Sequence, residues 1–78
     1  MQTELLYKGY LIQALPQKLA ESEKWTTNIH IMKDYGSHVT DKSFSAANQW
    51  DSEKEAIECC IDFGMKIVDG KFPNMELP

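Results

Sequence analysis

Apolar positions recur at helical spacing between residues 53 and 69 and alternate along segments upstream, so the chain reads as strands followed by one helix. The helical stretch is the better defined. Ala56, Cys60, Phe63 and Ile67 share one row, and Ile57, Ile61, Gly64 and Val68 run beside them. Together the rows make a stripe wide enough to lie on a sheet. Glu58, Asp62, Lys66 and Asp69 hold the other side, with Asp62 and Lys66 spaced for an i, i+4 ion pair. Ser52 and Glu55 have the spacing of a capping box, and Asp51, Glu53 and Glu55 put negative charge at the positive end of the helix dipole. Trp50 stands where a hydrophobic staple would, with Ala56 or Ile57 as its partner. Gly70 is the expected left-handed stop, with Pro73 beyond it. Gly64 costs about 1 kcal/mol relative to Ala in mid-helix, and is read as the point where the helix crosses a strand closely.

Three strand-like segments precede the helix. Residues 7–15 end at Pro16. Residues 25–33 alternate, with Trp25, Thr27, Ile29 and Ile31 on one side and Thr26, Asn28, His30 and Met32 on the other. Residues 38–46 form a third, more polar strand, joined to the second by a tight turn at Asp34, Tyr35, Gly36 and Ser37. The polar stretch 16–24 is expected to be mobile. A two-residue loop at the second hairpin puts Phe44 on the helix side with Thr27 and Trp25; a three-residue loop reverses it, and a bulge reconciles the patterns. The first register is expected.

The resulting fold class is α+β: a three-stranded antiparallel β-meander followed by one C-terminal α-helix packed on one face. Residues 1–78 make one domain, with an ordered core over about 7–70 and a flexible tail over 72–78, of which Phe72 is the residue able to pack. Ile12, Trp25, Ile29, Ile31 and Phe44 are expected to meet Ala56, Ile57, Cys60, Phe63, Ile67 and Val68.

Composition narrows the function more than it identifies it. A chain of 78 residues buries a small core, and association would add to it. No apolar run approaches the roughly 18 residues of a membrane span, and the start Met1-Gln2-Thr3-Glu4 lacks the positive charge of a signal peptide, so a cytoplasmic location is expected. Cys59 and Cys60 are adjacent and point apart on a helix, which gives no disulfide framework and suits a reducing compartment. Net charge is −4, all of it from residue 51 onward, and all eight basic residues are lysine. Nucleic-acid readers carry a basic face and use arginine for bidentate contacts, so nucleic acid is not an expected partner.

Candidate chemistry is sparse. His30, His38, Cys59 and Cys60 show no metal-ligand spacing, and Cys60 on the stripe reads as a small buried hydrophobe. Acids around Cys59 would raise its pKa and blunt the thiol. Asp41, Lys42 and Ser43 alternate on a strand, where exposed polarity is the ordinary explanation. No phosphate loop, nucleophile elbow or zincin motif is present, so no catalytic residue, cofactor or metal is assigned. Trp25, Trp50, Tyr7, Tyr10 and Tyr35 offer stacking surfaces, but no positive groove accompanies them.

The opening remains the sheet face away from the helix. It would show Leu11, Leu15, Asn28, His30, Met32 and Val39, with four apolar side chains clustered as an interface. The expected function is a non-enzymatic interaction domain that homodimerises through this open face or a free strand edge, with another protein as a further partner. A transcription-related regulator with weak nucleic-acid contact is the alternative. A small ligand-binding protein or enzyme with a site at a dimer seam around His30 and Asn28 is the second alternative.

Phe44-Ser45-Ala46-Ala47-Asn48-Gln49-Trp50-Asp51-Ser52-Glu53-Lys54-Glu55-Ala56 resembles the pattern F-x-x-A-[DN]-x-[FW]-x-S-x-x-E-A of small bacterial β-β-β-α proteins of the HlyU type. Tyr7-Lys8-Gly9-Tyr10 is similar to that family's opening Y-K-G-[FY], and Lys66-Ile67-Val68-Asp69 to its closing helix. The likeness covers about residues 7–70 and rests mostly on caps and core. It implies the fold, and its label implies transcriptional activation. The absence of arginine departs from the family and puts direct DNA contact in doubt.

Overall fold

The computed structural model describes residues 3–77. Among them the chain forms β1 (Glu4–Tyr7), β2 (Tyr10–Ala14), β3 (Trp25–Asp34), β4 (Val39–Trp50) and α1 (Glu53–Val68). The strands make one antiparallel sheet in the order β1-β2-β3-β4, with the helix on one face. The architecture is therefore the expected α+β meander and helix, but with four strands where three were expected. The difference lies at Lys8 and Gly9. Their φ angles are 50° and 84°, the two successive positive values that a tight two-residue hairpin turn requires. The first expected strand is thus split, and Glu4–Tyr7 folds back on β2 with Leu5 opposite Ile12 and Leu6 opposite Leu11.

In β2 and β3, Ile12 pairs with Ile31 and Ala14 with Ile29, so one apolar row faces the helix. Phe44 stands opposite Ile29 on the same face, in the register that a two-residue loop at Gly36 and Ser37 dictates. That loop is closed by the Tyr35 N–H donating to the His38 carbonyl at 2.9 Å. Further along, Thr27 pairs with Ala46 but Thr26 with Gln49, so Ala47 and Asn48 bulge out of β4. Thr27, buried, fastens this bulge. Its hydroxyl donates to the Asn48 carbonyl at 2.9 Å and accepts from the Trp50 indole N–H at 2.8 Å.

The helix begins and ends on the expected residues. Ser52 caps it, its hydroxyl accepting from the Glu55 N–H at 3.2 Å. At the far end Gly70 has φ 79°, its N–H donates to the Ile67 carbonyl, and the Lys71 N–H donates to the Lys66 carbonyl at 2.9 Å. Asp62 and Lys66 form their ion pair at 2.9 Å. Ala56, Ile57, Cys60, Gly64 and Ile67 are buried. Gly64 lies directly over Ile12: a Cβ there would overlap Ile12 Cγ2 and come within 3.2 Å of its Cδ1. Only glycine lets the helix sit this close.

Segment 16–24 continues the β2–β3 hairpin. Gln17 and Thr26 exchange bonds through the Gln17 carbonyl and the Thr26 hydroxyl, and the Leu19 N–H donates to the Lys24 carbonyl. Beyond the helix, Phe72 packs edge-on against Phe63 with centroids 5.4 Å apart, and Met75 and Leu77 also lie against the core. Tyr7 and Lys8, beside the first turn, reach the helix end. The Tyr7 hydroxyl donates to Asp69 Oδ2 at 2.9 Å, and the Lys8 ammonium contacts Oδ1 at 2.5 Å.

Candidate functional site

Antiparallel pairing sets the face of every strand residue. Because β2 and β3 present their isoleucines to the helix, Leu11, Leu15, Asn28, His30, Met32 and Val39 all fall on the opposite face, the underside. The helix and segment 72–77 pack on the other side. The six residues expected to form an interface therefore share a surface, but its apolar members are not one patch. Leu11 stands directly opposite Met32. Leu15, 48% exposed, is two steps away, beyond Gln13 and His30. Val39, 61% exposed, pairs with Asp34 near the hairpin tip, diagonal to Met32.

Leu6 completes the apolar part. It pairs with Leu11 and is 72% exposed, the most exposed large apolar side chain among the described residues. Leu6, Leu11 and Met32 thus form a continuous cross-strand row over three strands. Sequence reasoning missed Leu6 because it placed the first strand from residue 7. The signal was present in Glu4-Leu5-Leu6-Tyr7 followed by Gly9.

Beside this row runs a polar one: Glu4, Gln13, His30 and Ser43 on successive strands. The Gln13 amide donates to Glu4 at 2.5 Å, and His30 Nε2 lies 3.9 Å from Asp41. The Asn28 amide donates to the Thr26 hydroxyl at 2.9 Å. Charge on the underside is one-sided. Glu4, Asp34 and Asp41 point there, whereas Lys33 and Lys42 fall on the helix side. Lys33 lies over the Tyr10 ring and Lys42 over the Phe44 ring.

The other candidates are dispersed. His38 stacks on Tyr35 at the hairpin tip, with centroids 5.2 Å apart. Trp25 and Trp50 oppose one another at the far end of the sheet, and Tyr7 and Tyr10 at the near end, so the aromatics form no single platform. Cys60 is fully buried, and burial raises its thiol pKa. Cys59 is half-buried and its pKa is also raised, first by desolvation and then by Asp62, Glu55 and Glu58. Among the described residues no group of three or more His, Cys, Asp or Glu is placed to hold a metal ion, and no helix is long and apolar enough to cross a membrane. Comparison with protein-family models, with curated proteins and with solved structures finds no match.

Proposed function

We propose that this chain is a non-enzymatic interaction domain that pairs with a second copy of itself through the underside of its sheet. The observation that carries the reading is the row Leu6, Leu11 and Met32, in which Leu6 is exposed and Leu11 and Met32 are half-buried, on a face that neither the helix nor segment 72–77 covers. Two copies related by a two-fold axis lay this row on itself, and the burial supplements a small core. The polar row of Glu4, Gln13, His30 and Ser43 then lies along the seam. The surplus of acids on this face disfavours a nucleic-acid backbone.

Like charges on the two copies give the assembly a signature. Salt screens Glu4, Asp34 and Asp41, so self-association strengthens as salt rises. Sedimentation velocity across a concentration series, at low and high salt, tests this. Dimer formation that grows with salt and is lost in Met32→Glu supports the reading. A strict monomer at high micromolar concentration, or an assembly indifferent to Met32→Glu, overturns it.

A further inference from the structure

The polar row beside Leu6, Leu11 and Met32 contains an imidazole. His30 stands in β3 between Asn28 and Met32 on the underside, opposite Gln13 of β2 and Ser43 of β4. Met32 belongs to the apolar row, so the ring is an immediate neighbour of that row on the same face. The His30 side chain is 30% exposed, and its Nε2 lies 3.9 Å from Asp41 Oδ1. An imidazole ordinarily changes charge between about pH 5 and about pH 8, a window in which carboxylates stay ionised and lysines stay protonated.

The charges around His30 on this face are all negative. Asp41 is the nearest, diagonal to it on β4. Glu4 lies across Gln13 on β1, where its carboxylate accepts from the Gln13 amide. Asp34 lies along β3 beyond Met32 and accepts from the Gly36 N–H at 2.8 Å. Among the described strand residues no lysine points to the underside. Lys33 and Lys42 stand on the helix side, over the Tyr10 and Phe44 rings. The helix and segment 72–77 pack on that side too, so the sheet separates their charges from His30.

We propose that His30 makes self-pairing pH-dependent, with protonation of its ring strengthening the pair. The inference rests on pairing through the underside. With His30 neutral, each face carries the charges of Glu4, Asp34 and Asp41, and two such faces repel. A proton on His30 of each copy cuts the charge of the face by a third. The product of the two face charges, which sets their repulsion, then falls by more than half. The charged ring also meets its own Asp41 and the acids of the second copy. Closing the seam works against this, because loss of water disfavours a charged ring. Two features decide the balance. His30 lies in the polar row rather than the apolar one, and its carboxylate neighbour is in place before the copies meet. Attraction is therefore the larger effect, and acidification tightens the pair.

Sedimentation velocity at low salt, on concentration series at about pH 8 and about pH 6, makes the test. The dissociation constant is expected to fall about fivefold at the lower pH, and the difference to shrink as salt rises. His30→Gln keeps a polar side chain without the titration and is expected to pair equally at both pH values. His38→Gln, at the hairpin tip where the ring stacks on Tyr35, is expected to keep the full pH dependence. Should His30→Gln not fold, Asp41→Asn is the second variant. It removes one acid and the nearest partner of His30, so pairing should strengthen at the higher pH and gain less on acidification. A dimer with the same dissociation constant at both pH values overturns the inference and leaves self-pairing intact. So does weaker pairing at the lower pH, the mark of desolvation outweighing attraction, and so does an undiminished pH dependence in His30→Gln. A chain that stays monomeric at both pH values and at high salt overturns self-pairing and the inference with it.

Discussion

The two halves of the helix-side layer are built differently. Over β2 and β3 the fit is close: Ile12, Ile29 and Ile31 are at most 1% exposed, and Gly64, Ala56 and Cys60 keep the helix surface low where it meets them. Over β4 the layer is open. Phe44 is buried, but Ala46 and Trp50 are only half covered, and a groove remains between strand and helix. Small residues on the helix thus do two things at once. They bring it down onto the centre of the sheet, and by doing so they set it away from β4. A tight core and an accessible edge are consequences of the same placement.

Removing bulk should separate the halves most clearly. Ile12→Ala, in the close-packed half, is expected to cost about 2–5 kcal/mol of stability. Phe72→Ala, in the open half, is expected to cost nearer about 1 kcal/mol because its ring is only partly buried. Chemical denaturation of both variants makes the measurement, and similar losses would remove the distinction.

Adding bulk gives the next largest effect. Gly64→Ala gains roughly 1 kcal/mol of helix propensity but drives a methyl into Ile12, and a net loss of about 1–2 kcal/mol is expected. The Ile12→Ala and Gly64→Ala double variant should lose less than the sum of the two, by more than about 0.5 kcal/mol. Strict additivity would show that the helix does not rest on Ile12.

Ser52→Ala, which removes the cap, is expected to cost about 1 kcal/mol. The smallest effect belongs to Asp69. Lys8 and Tyr7 hold its carboxyl below the ordinary carboxylate range. A lowered folded value contributes stability that is present above the ordinary range and is lost as pH falls through the lowered one. Asp69→Asn should therefore lower the melting temperature slightly at neutral pH and flatten its fall in acid. An unchanged acid limb would show that this cluster does not fasten the first turn to the helix end.

The helix was legible in the sequence because several independent signals coincide in it: the Ser52 cap, the double apolar row, Gly64 and the Gly70 stop. The β3–β4 register was legible for the same reason, since loop length and the alternation around Ile29 agree. The first hairpin was not. Lys8 is an unusual residue for a left-handed turn position, so Lys8-Gly9 carries no ordinary hairpin signal and residues 7–15 read as one strand. That single misreading hid both β1 and Leu6. The underside was legible residue by residue, but its division into an apolar row and a polar row depends on cross-strand pairing with β1. The groove was invisible because it depends on where the helix rests laterally and on the bulge at Ala47 and Asn48, neither of which periodicity encodes.

Contact between the undersides of two copies can be observed directly. Mixing 13C-labelled and unlabelled chains at high salt and recording isotope-filtered NOEs reads which methyl groups meet across an interface. Cross-peaks joining Leu6, Leu11 and Met32 of one copy to the same residues of the other are the expected result. A chain that shows no intermolecular cross-peaks at millimolar concentration, or shows them only along β4, would contradict self-pairing through this face.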